Sequence, residues 1–314
     1  MKLTNLEILS RRSQFLQAIR TFFAEKEFWE LDTPSLKKIP GMEPYLDPFI
    51  VNSPSGDEKG YLITSPEYSL KQALALGAKQ VYELAHTFRS GERGSSFHTA
   101  EFLMLEFYKT DSNLDQTMDL VEELIRNVSA KLGLPMQKGP FNRRSVKDLL
   151  QEFVGIDWDR KSLESKISEL ALTNLPLEKM EYEDCFFLIF LNLIEPKFPS
   201  EFQFIYDYPP EMAALSRIED GVAKRFELYF GQIELSNAFF ELLDPIEQRG
   251  RFEREQGTRK KLGKEVFPMH EEFLLALEKG LPECSGVSIG LDRLLMVLLG
   301  CSSLAEVSPY WREI

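Results

Sequence analysis

Cysteine is scarce in this chain. Cys185, Cys284 and Cys301 are the only three, and no two stand at a CxxC or zinc-type spacing. That excludes a disulfide framework and a cysteine-built zinc site, and it fits a reducing, cytoplasmic setting. Long apolar runs are also missing. The longest, Leu-Leu-Met-Val-Leu-Leu at 294–299, is far too short to cross a bilayer. Arg11, Arg12, Arg20 and Lys26 are scattered among acidic residues near the start, so no signal peptide is expected. Positive charge is in deficit: 37 Lys and Arg stand against 50 Asp and Glu, a net charge of −13. Such a balance disfavours a nucleic-acid binder and an anionic membrane surface, short of a local basic patch. Neither a GxGxxG nor a GxxxxGK phosphate loop occurs.

Apolar residues make up 43% of the 314 positions and include 24 Phe, enough for a substantial core. The periodicity predicts amphipathic helices at 6–28 and 114–131, a helix at 67–77, and strands at 60–64, 80–88 and 100–109. Ser90 to Thr99, with Gly91 and Gly94, is too long for a tight turn and reads as a loop able to wrap a ligand. Residues 135–210 read as a helical insert with helices near 145–153, 161–170 and 181–194. Strands at 224–230 and 233–241 turn at Gly231-Gln232. Helices near 244–260 and 270–279, a strand at 286–290 and an apolar helix at 291–299 complete the chain. Antiparallel pairs of this kind do not form an alternating βαβ pattern. The expected class is α+β, a mainly antiparallel sheet flanked by helices in a single domain over 1–314.

Several side chains carry chemistry. Along the strand from Ala100 to Tyr108, alternation puts Phe102, Met104, Glu106 and Tyr108 on one face. Such a wall can stack a flat ring and pair with a cation, though a half-buried strand with Glu106 at its wet end has the same pattern. On the strand Glu234–Glu241, Asn237, Phe239 and Glu241 share a face, and Glu234 points away from it unless a bulge intervenes. Glu227 and Glu234 can hold Mg²⁺ if the hairpin places them together, and are equally compatible with solvated positions. Arg293, in the first turn of the last helix, opposes the helix dipole and suits an anion better than it suits stability. Arg89 and His98 flank the loop. The basic stretch Arg251–Lys264 fits either a partner contact or a solvated helix.

These segments together resemble the catalytic core of the class II aminoacyl-tRNA synthetases, most of all the lysyl type. Glu30-Leu31-Asp32-Thr33-Pro34-Ser35-Leu36 is similar to the first class motif. Phe88-Arg89-Ser90-Gly91-Glu92 through His98 to Glu106 is similar to the second, and Gly286 to Leu294 to the third. The lysine-type sequence Glu234 to Leu242 stands between them. With the first motif's helix starting within the first ten residues, no anticodon-binding OB-fold is expected ahead of it, a pattern that resembles the family of ligases that lysylate elongation factor P. Thr64-Ser65-Pro66-Glu67-Tyr68 and Pro282 to Val287 resemble that subgroup. Ala238, Thr99 and Ala100 depart from the family pattern, and Ser288 stands where lysyl-tRNA synthetases have glycine.

The resemblance implies roles. Arg89 and Arg293 are the catalytic pair, on the α- and γ-phosphates of ATP. Glu92 and His98 help bind the triphosphate, and Phe102 with Arg293 sandwiches adenine. Glu227 and Glu234 carry Mg²⁺. Glu67, Glu106, Tyr108, Asn237, Phe239, Glu241 and Ser288 line the amino-acid pocket. The implied reaction activates (R)-β-lysine, and α-lysine less well, as the adenylate and transfers it to a lysine of elongation factor P. The implied partners are that factor, a lysine 2,3-aminomutase supplying the substrate, and a second copy of this chain, with no stable tRNA binding and no membrane. Two other readings fit the same core: a truncated lysyl-tRNA synthetase and an inactive regulatory or structural paralogue.

Overall fold

The computed structural model describes residues 3–92 and 95–308, so Gly94 of the loop lies outside the described residues. The chain divides into two compact units, Met1–Met136 with Glu241–Ile314, and Gln137–Phe240.

The first unit opens with α1 (Asn5–Glu25), started by a reciprocal cap in which Thr4 and Glu7 bond each other's backbone N–H. Phe15, Ile19, Phe22 and Phe23 form its buried face. The Phe23 ring stacks on Tyr82 at 4.4 Å, which seats the helix on the sheet. The helix ends three residues before the expected 28, and Glu27 takes a left-handed φ of 60° to turn the chain. Three short elements, β1 (Trp29–Glu30), β2 (Leu36–Lys37) and β3 (Ile50–Asn52), precede β4 (Lys59–Leu62). Of these, β2, β4 and β3 form a small antiparallel sheet. Then come α2 (Glu67–Ala75), β5 (Gln80–Phe88), β6 (Glu101–Thr110) and α3 (Leu114–Lys131). The last matches the expected bounds because Asn113 and Gln116 cap it and its apolar stripe is regular.

The second unit contains β7 (Asn142–Ser145), α4 (Val146–Phe153), α5 (Arg160–Leu170) and α6 (Tyr182–Ile189), the last continued by a π turn over Phe190–Ile194. It then forms β8 (Phe202–Tyr208), β9 (Ile218–Glu219), β10 (Val222–Phe230) and β11 (Ile233–Phe240). Ser145 and Asp159 cap α4 and α5. Besides its helices, the stretch 135–210 therefore carries two strands, paired in parallel as Asn142–Ser145 against Gln203–Tyr206. This unit's strands run β11-β10-β8-β7, with β9 on β10. Its helices pack Leu149, Leu163, Phe186 and Phe190 against Ile205 and Tyr229 in one apolar core.

The chain returns to the first unit with α7 (Pro245–Lys261), α8 (Glu271–Gly280), β12 (Cys284–Gly290) and α9 (Leu291–Leu298). There the sheet order is β1-β5-β6-β12, antiparallel except for β1 on β5. No helix among the described residues is long and apolar enough to cross a membrane.

Candidate active site

Strand β6 presents the face that alternation predicts. Met104, Glu106 and Tyr108 are buried along it, with Phe102 half-buried at the loop end. Glu106 lies four positions beyond Phe102, about 13 Å of strand, so one strand has two chemically distinct ends.

The inner end is acidic. Glu106 stands directly across from Ser288 of β12 and Glu83 of β5. Tyr108 donates to Glu106 Oε1 at 2.6 Å. Its ring lies on Gly286, the residue opposite it, where a Cβ would collide with the ring. From α2, Glu67 enters the same cluster, and Glu241 enters just before α7. Lys71 lies between them, with Nζ 2.6 Å from Glu67 Oε1 and 2.5 Å from Glu241 Oε2. The exposures are 7% for Glu67, 1% for Lys71, 2% for Glu106 and 1% for Glu241. Burial pushes the Glu106 carboxyl well above its ordinary range, and the Glu67 charge adds to it. Tyr108 is raised for the same first reason. The expected pocket residues Glu67, Glu106, Tyr108, Glu241 and Ser288 are thus gathered in the first unit.

The loop end is cationic. The Arg89 backbone N–H donates to Ala100 O at 2.9 Å, which continues the hairpin pairing past β5. Its guanidinium lies 5.1 Å over the Phe102 ring, and Nη1 is 3.3 Å from Glu92. The Nε–H of Arg89 is buried and meets no acceptor among the described residues. An orphaned guanidinium N–H of this kind suits a phosphate oxygen. Arg293 donates from Nε to Phe97 O at 2.9 Å, tying α9 to the loop. His98 is pushed below its ordinary range by burial first and by the Arg293 charge second. Arg89, Glu92, His98, Phe102 and Arg293 accordingly form one neighbourhood.

The other four expected residues lie in the second unit, on β10 and β11. A register shift after Leu228 pairs Glu227 with Asn237 and Tyr229 with Glu234. Directly paired residues share a face, so the bulge brings Glu234 onto the side that Glu227 occupies. Arg225 joins them: its Nη2 is 2.6 Å from Glu227 Oε1 and 3.0 Å from Asn237 Oδ1, and its guanidinium lies 5.3 Å from the Phe239 ring. Glu227 Oε2 accepts from Tyr208 at 2.6 Å and Tyr229 at 2.9 Å. Oε1, with one such partner, keeps a lone pair for a cation. Among the described residues no three His, Cys, Asp or Glu side chains are grouped to hold a metal. This pair therefore fits a Mg²⁺ that draws its remaining ligands from phosphates and water. Ala238, opposite Phe226, is fully buried, so a methyl group is accommodated where the family pattern has glycine.

Three kinds of residue escape the motifs. Lys71 is one, although the Glu67/Lys71 i, i+4 spacing on a helix is the arrangement that makes such a pair meet. Glu43 and Glu255, half-buried residues that each bury one carboxyl oxygen, are a second, and no local pattern announces them. The third is Arg259, within the stretch read as a partner contact or a solvated helix. It is buried, and it donates to the carbonyls of Glu43 and Leu46 at 3.1 and 3.0 Å. Lys264 adds a 2.9 Å ion pair to Asp47. Both side chains are used internally to hold the loop before β3.

The motifs, the antiparallel sheet and the two ends of β6 define an aminoacyl-adenylating core, and the family match agrees. The chain belongs to the class II tRNA synthetases of the D, K and N group, whose family model matches residues 2–313. Within that class it is similar to proteins named elongation factor P–(R)-β-lysine ligase. It is 32% identical over 317 residues to the one from Vibrio parahaemolyticus, covering 98% of this chain and 96% of the relative. Identity is 34% to that of Proteus mirabilis and 35% to that of Salmonella dublin, each covering 96% of this chain and 94% of the relative.

Proposed function

We propose that this protein is a cytoplasmic ATP-dependent ligase that activates (R)-β-lysine and joins it to a lysine side chain of elongation factor P. One observation carries the reading: the buried Glu67, Glu106 and Glu241 gather near Tyr108 at one end of β6, and the other end carries Phe102 beneath the Arg89 guanidinium. Three buried carboxylates outnumber the one cation among them, Lys71, and that excess of acid suits a substrate with a side-chain ammonium. The names of the similar ligases support the same substrate and acceptor.

In the first step the substrate carboxylate attacks the α-phosphorus of ATP, giving the adenylate and pyrophosphate. Both reactants are anionic, so the work is charge cancellation and in-line positioning, and no protein nucleophile is required. Arg89 would hold the α-phosphate with its unused Nε–H. Arg293 would take the γ-phosphate, and Glu92 and His98 would help place the triphosphate. Phe102 offers its ring to adenine. Asn237 and Phe239 would complete the amino-acid side. Mg²⁺, held by Glu227 and Glu234, would neutralise phosphate charge. In the second step the neutral amine of the acceptor lysine attacks the acyl carbon, an amide forms and AMP leaves.

Two copies would associate through the α1–β1 region. Trp29 is 65% exposed, and Leu6, Leu36 and Ile50 add apolar surface in the same unit. A lysine 2,3-aminomutase would supply the β-amino acid.

The decisive experiment incubates enzyme, ATP, Mg²⁺ and (R)-β-lysine with elongation factor P, and separately with lysine tRNA. Intact-mass analysis is expected to show one lysyl-sized adduct on the protein, lost when the acceptor lysine is replaced. Efficient tRNA charging without a protein adduct would overturn the proposal.

A further inference from the structure

We propose that Arg225 is a positioning residue that orders the entry of the divalent cation. It is a resident charge on Glu227 that keeps free Mg²⁺ from settling at Glu227 and Glu234, so that the metal enters with the triphosphate. This rests on the proposed ATP-dependent activation and deepens it.

The residues lie in the sheet of the second unit. Arg225 and Glu227 are two positions apart on β10 and share a face with their β11 partners, Phe239 and Asn237. Arg225 is 7% exposed and Glu227 5%. The guanidinium is held from several sides. Its Nη1 donates to Met212 O at 2.9 Å, and its Nη2 donates to Glu227 Oε1 at 2.6 Å and to Asn237 Oδ1 at 3.0 Å. The Tyr208 ring lies 4.6 Å from it and the Phe239 ring 5.3 Å. Glu227 is fixed as firmly, since Tyr208 and Tyr229 both donate to its Oε2. The oxygen left for a metal, Oε1, is therefore the one that already carries a cation. A further donor of Arg225, its Nε–H, is buried and meets no acceptor among the described residues. An arriving anion relieves that donor, and a bare metal ion does not.

Charge accounting gives the order of entry. Glu227 and Glu234 carry two negative charges and Arg225 one positive. A divalent cation alone would leave one net positive charge beside a buried guanidinium, which a partly dry site disfavours. Triphosphate oxygens cancel that excess, so metal and nucleotide stabilise each other. Glu234 is exposed, so the group opens to solvent at that acid. Two half-buried acids stand nearby, Glu183 toward Arg225 and Glu195 toward Glu227, and burial shifts both toward their neutral forms. Both are present whether or not Arg225 is replaced. Without the guanidinium, Glu227, Glu234 and a divalent cation sum to zero charge, and the metal no longer needs the nucleotide.

Arg225→Met keeps an unbranched side chain between the two rings and removes the charge. Binding of Mn²⁺ alone to the nucleotide-free protein is read from the electron paramagnetic resonance signal of the unbound ion. Arg225→Met is expected to bind Mn²⁺ about tenfold or more tightly than the wild type does. Arg225→Lys keeps the charge and is expected to bind as weakly as the wild type. Glu227→Gln added to Arg225→Met is expected to abolish the gain. A damaged structure loses affinity, so a gain separates this role from a merely structural one. Equal affinity in Arg225→Met and the wild type overturns the proposal. So does an equal gain in Arg225→Lys, or a gain that survives Glu227→Gln. Should Arg225→Met fail to fold, the wild-type protein supplies the test. Mg²⁺ is expected to strengthen binding of α,β-methylene-ATP at a concentration where Mn²⁺ alone does not bind the nucleotide-free protein. Stoichiometric uptake of Mn²⁺ there overturns the proposal. If Mg²⁺ leaves binding of α,β-methylene-ATP unchanged, the functional reading of the two acids fails instead.

Discussion

The Tyr108 ring occupies the space that a side chain on Gly286 would need. The two residues are paired across β6 and β12, and the absence of a Cβ lets the ring lie on the backbone while its hydroxyl reaches Glu106. Gly286→Ala is expected to displace the ring and break that hydrogen bond. Overpacking of this kind costs about 1–3 kcal/mol. If the cost falls on the pocket, KM for the amino acid rises roughly 5- to 140-fold at about 1.4 kcal/mol per decade. ATP–pyrophosphate exchange at saturating ATP measures it, and an unaltered amino-acid KM would show that the ring is displaceable at no cost.

Asp292 joins three elements. Its Oδ2 accepts the Leu103 backbone N–H of β6 at 2.7 Å, and its Oδ1 receives Arg12 of α1 at 2.6 Å. Asp292→Ala leaves both donors unpaired, and the expected destabilisation is about 3–5 kcal/mol, the range for breaking a largely buried pair. Asp292→Asn keeps an acceptor for Leu103 and is expected to lose less. Urea unfolding of the three proteins decides the order, and equal midpoints would refute it.

The pH dependence of stability follows from two acids outside the motifs. Burial raises Glu43 to about 7, with the Glu67 charge adding to it; burial raises Glu255 to about 8, with Glu43 as the next cause. Unfolded, both return to the ordinary value of 4.5. As pH rises above that value the unfolded chain releases these protons while the folded chain retains them. The unfolded state then binds fewer protons, so stability falls with rising pH up to the folded values. The melting temperature of the ligand-free protein is expected to drop between pH 5 and 8, and Glu255→Gln to flatten the slope. A slope identical in the variant would remove Glu255 from the account.

How much of this was readable in the residues depends on how local each cause is. Helix α3 and strands β5 and β6 are set by caps and period, and the sequence predicts their bounds to within a residue. The β6 face carries its chemistry in plain alternation. Strands β7 and β8 lie among helical patterns, and their parallel pairing joins segments about sixty residues apart, which no local period reports. The bulge between Glu227 and Glu234 is a register event: the sequence shows that it is needed for the two acids to share a face, and not that it occurs. Lys71 and Arg259 are ionisable residues buried against partners far along the chain, Glu241 for one and the Glu43 carbonyl for the other, so their identity alone suggests surface.

Ser288 provides the most specific test of substrate choice. It faces Glu106 directly across β12 and β6 and is half-buried, so its side chain shares the sheet face with that acid. Between α- and β-lysine the side-chain ammonium is common, and the other amine moves by one carbon. A substituent on the floor of the pocket discriminates by occupying the volume that one of the two amine positions requires. Serine supplies a Cβ and a hydroxyl there, where lysyl-tRNA synthetases have glycine. Ser288→Gly removes both, and the expected outcome is a shift of relative kcat/KM toward α-lysine. The change in fold is expected to be small, since Gly286 and Gly290 already flank the position in the same strand. One methylene-sized change in a pocket contributes about 1–3 kcal/mol of discrimination, roughly 10- to 200-fold. Measuring kcat/KM for both isomers in wild type and variant, with ATP saturating, gives the ratio directly. An unchanged ratio would make Ser288 a bystander.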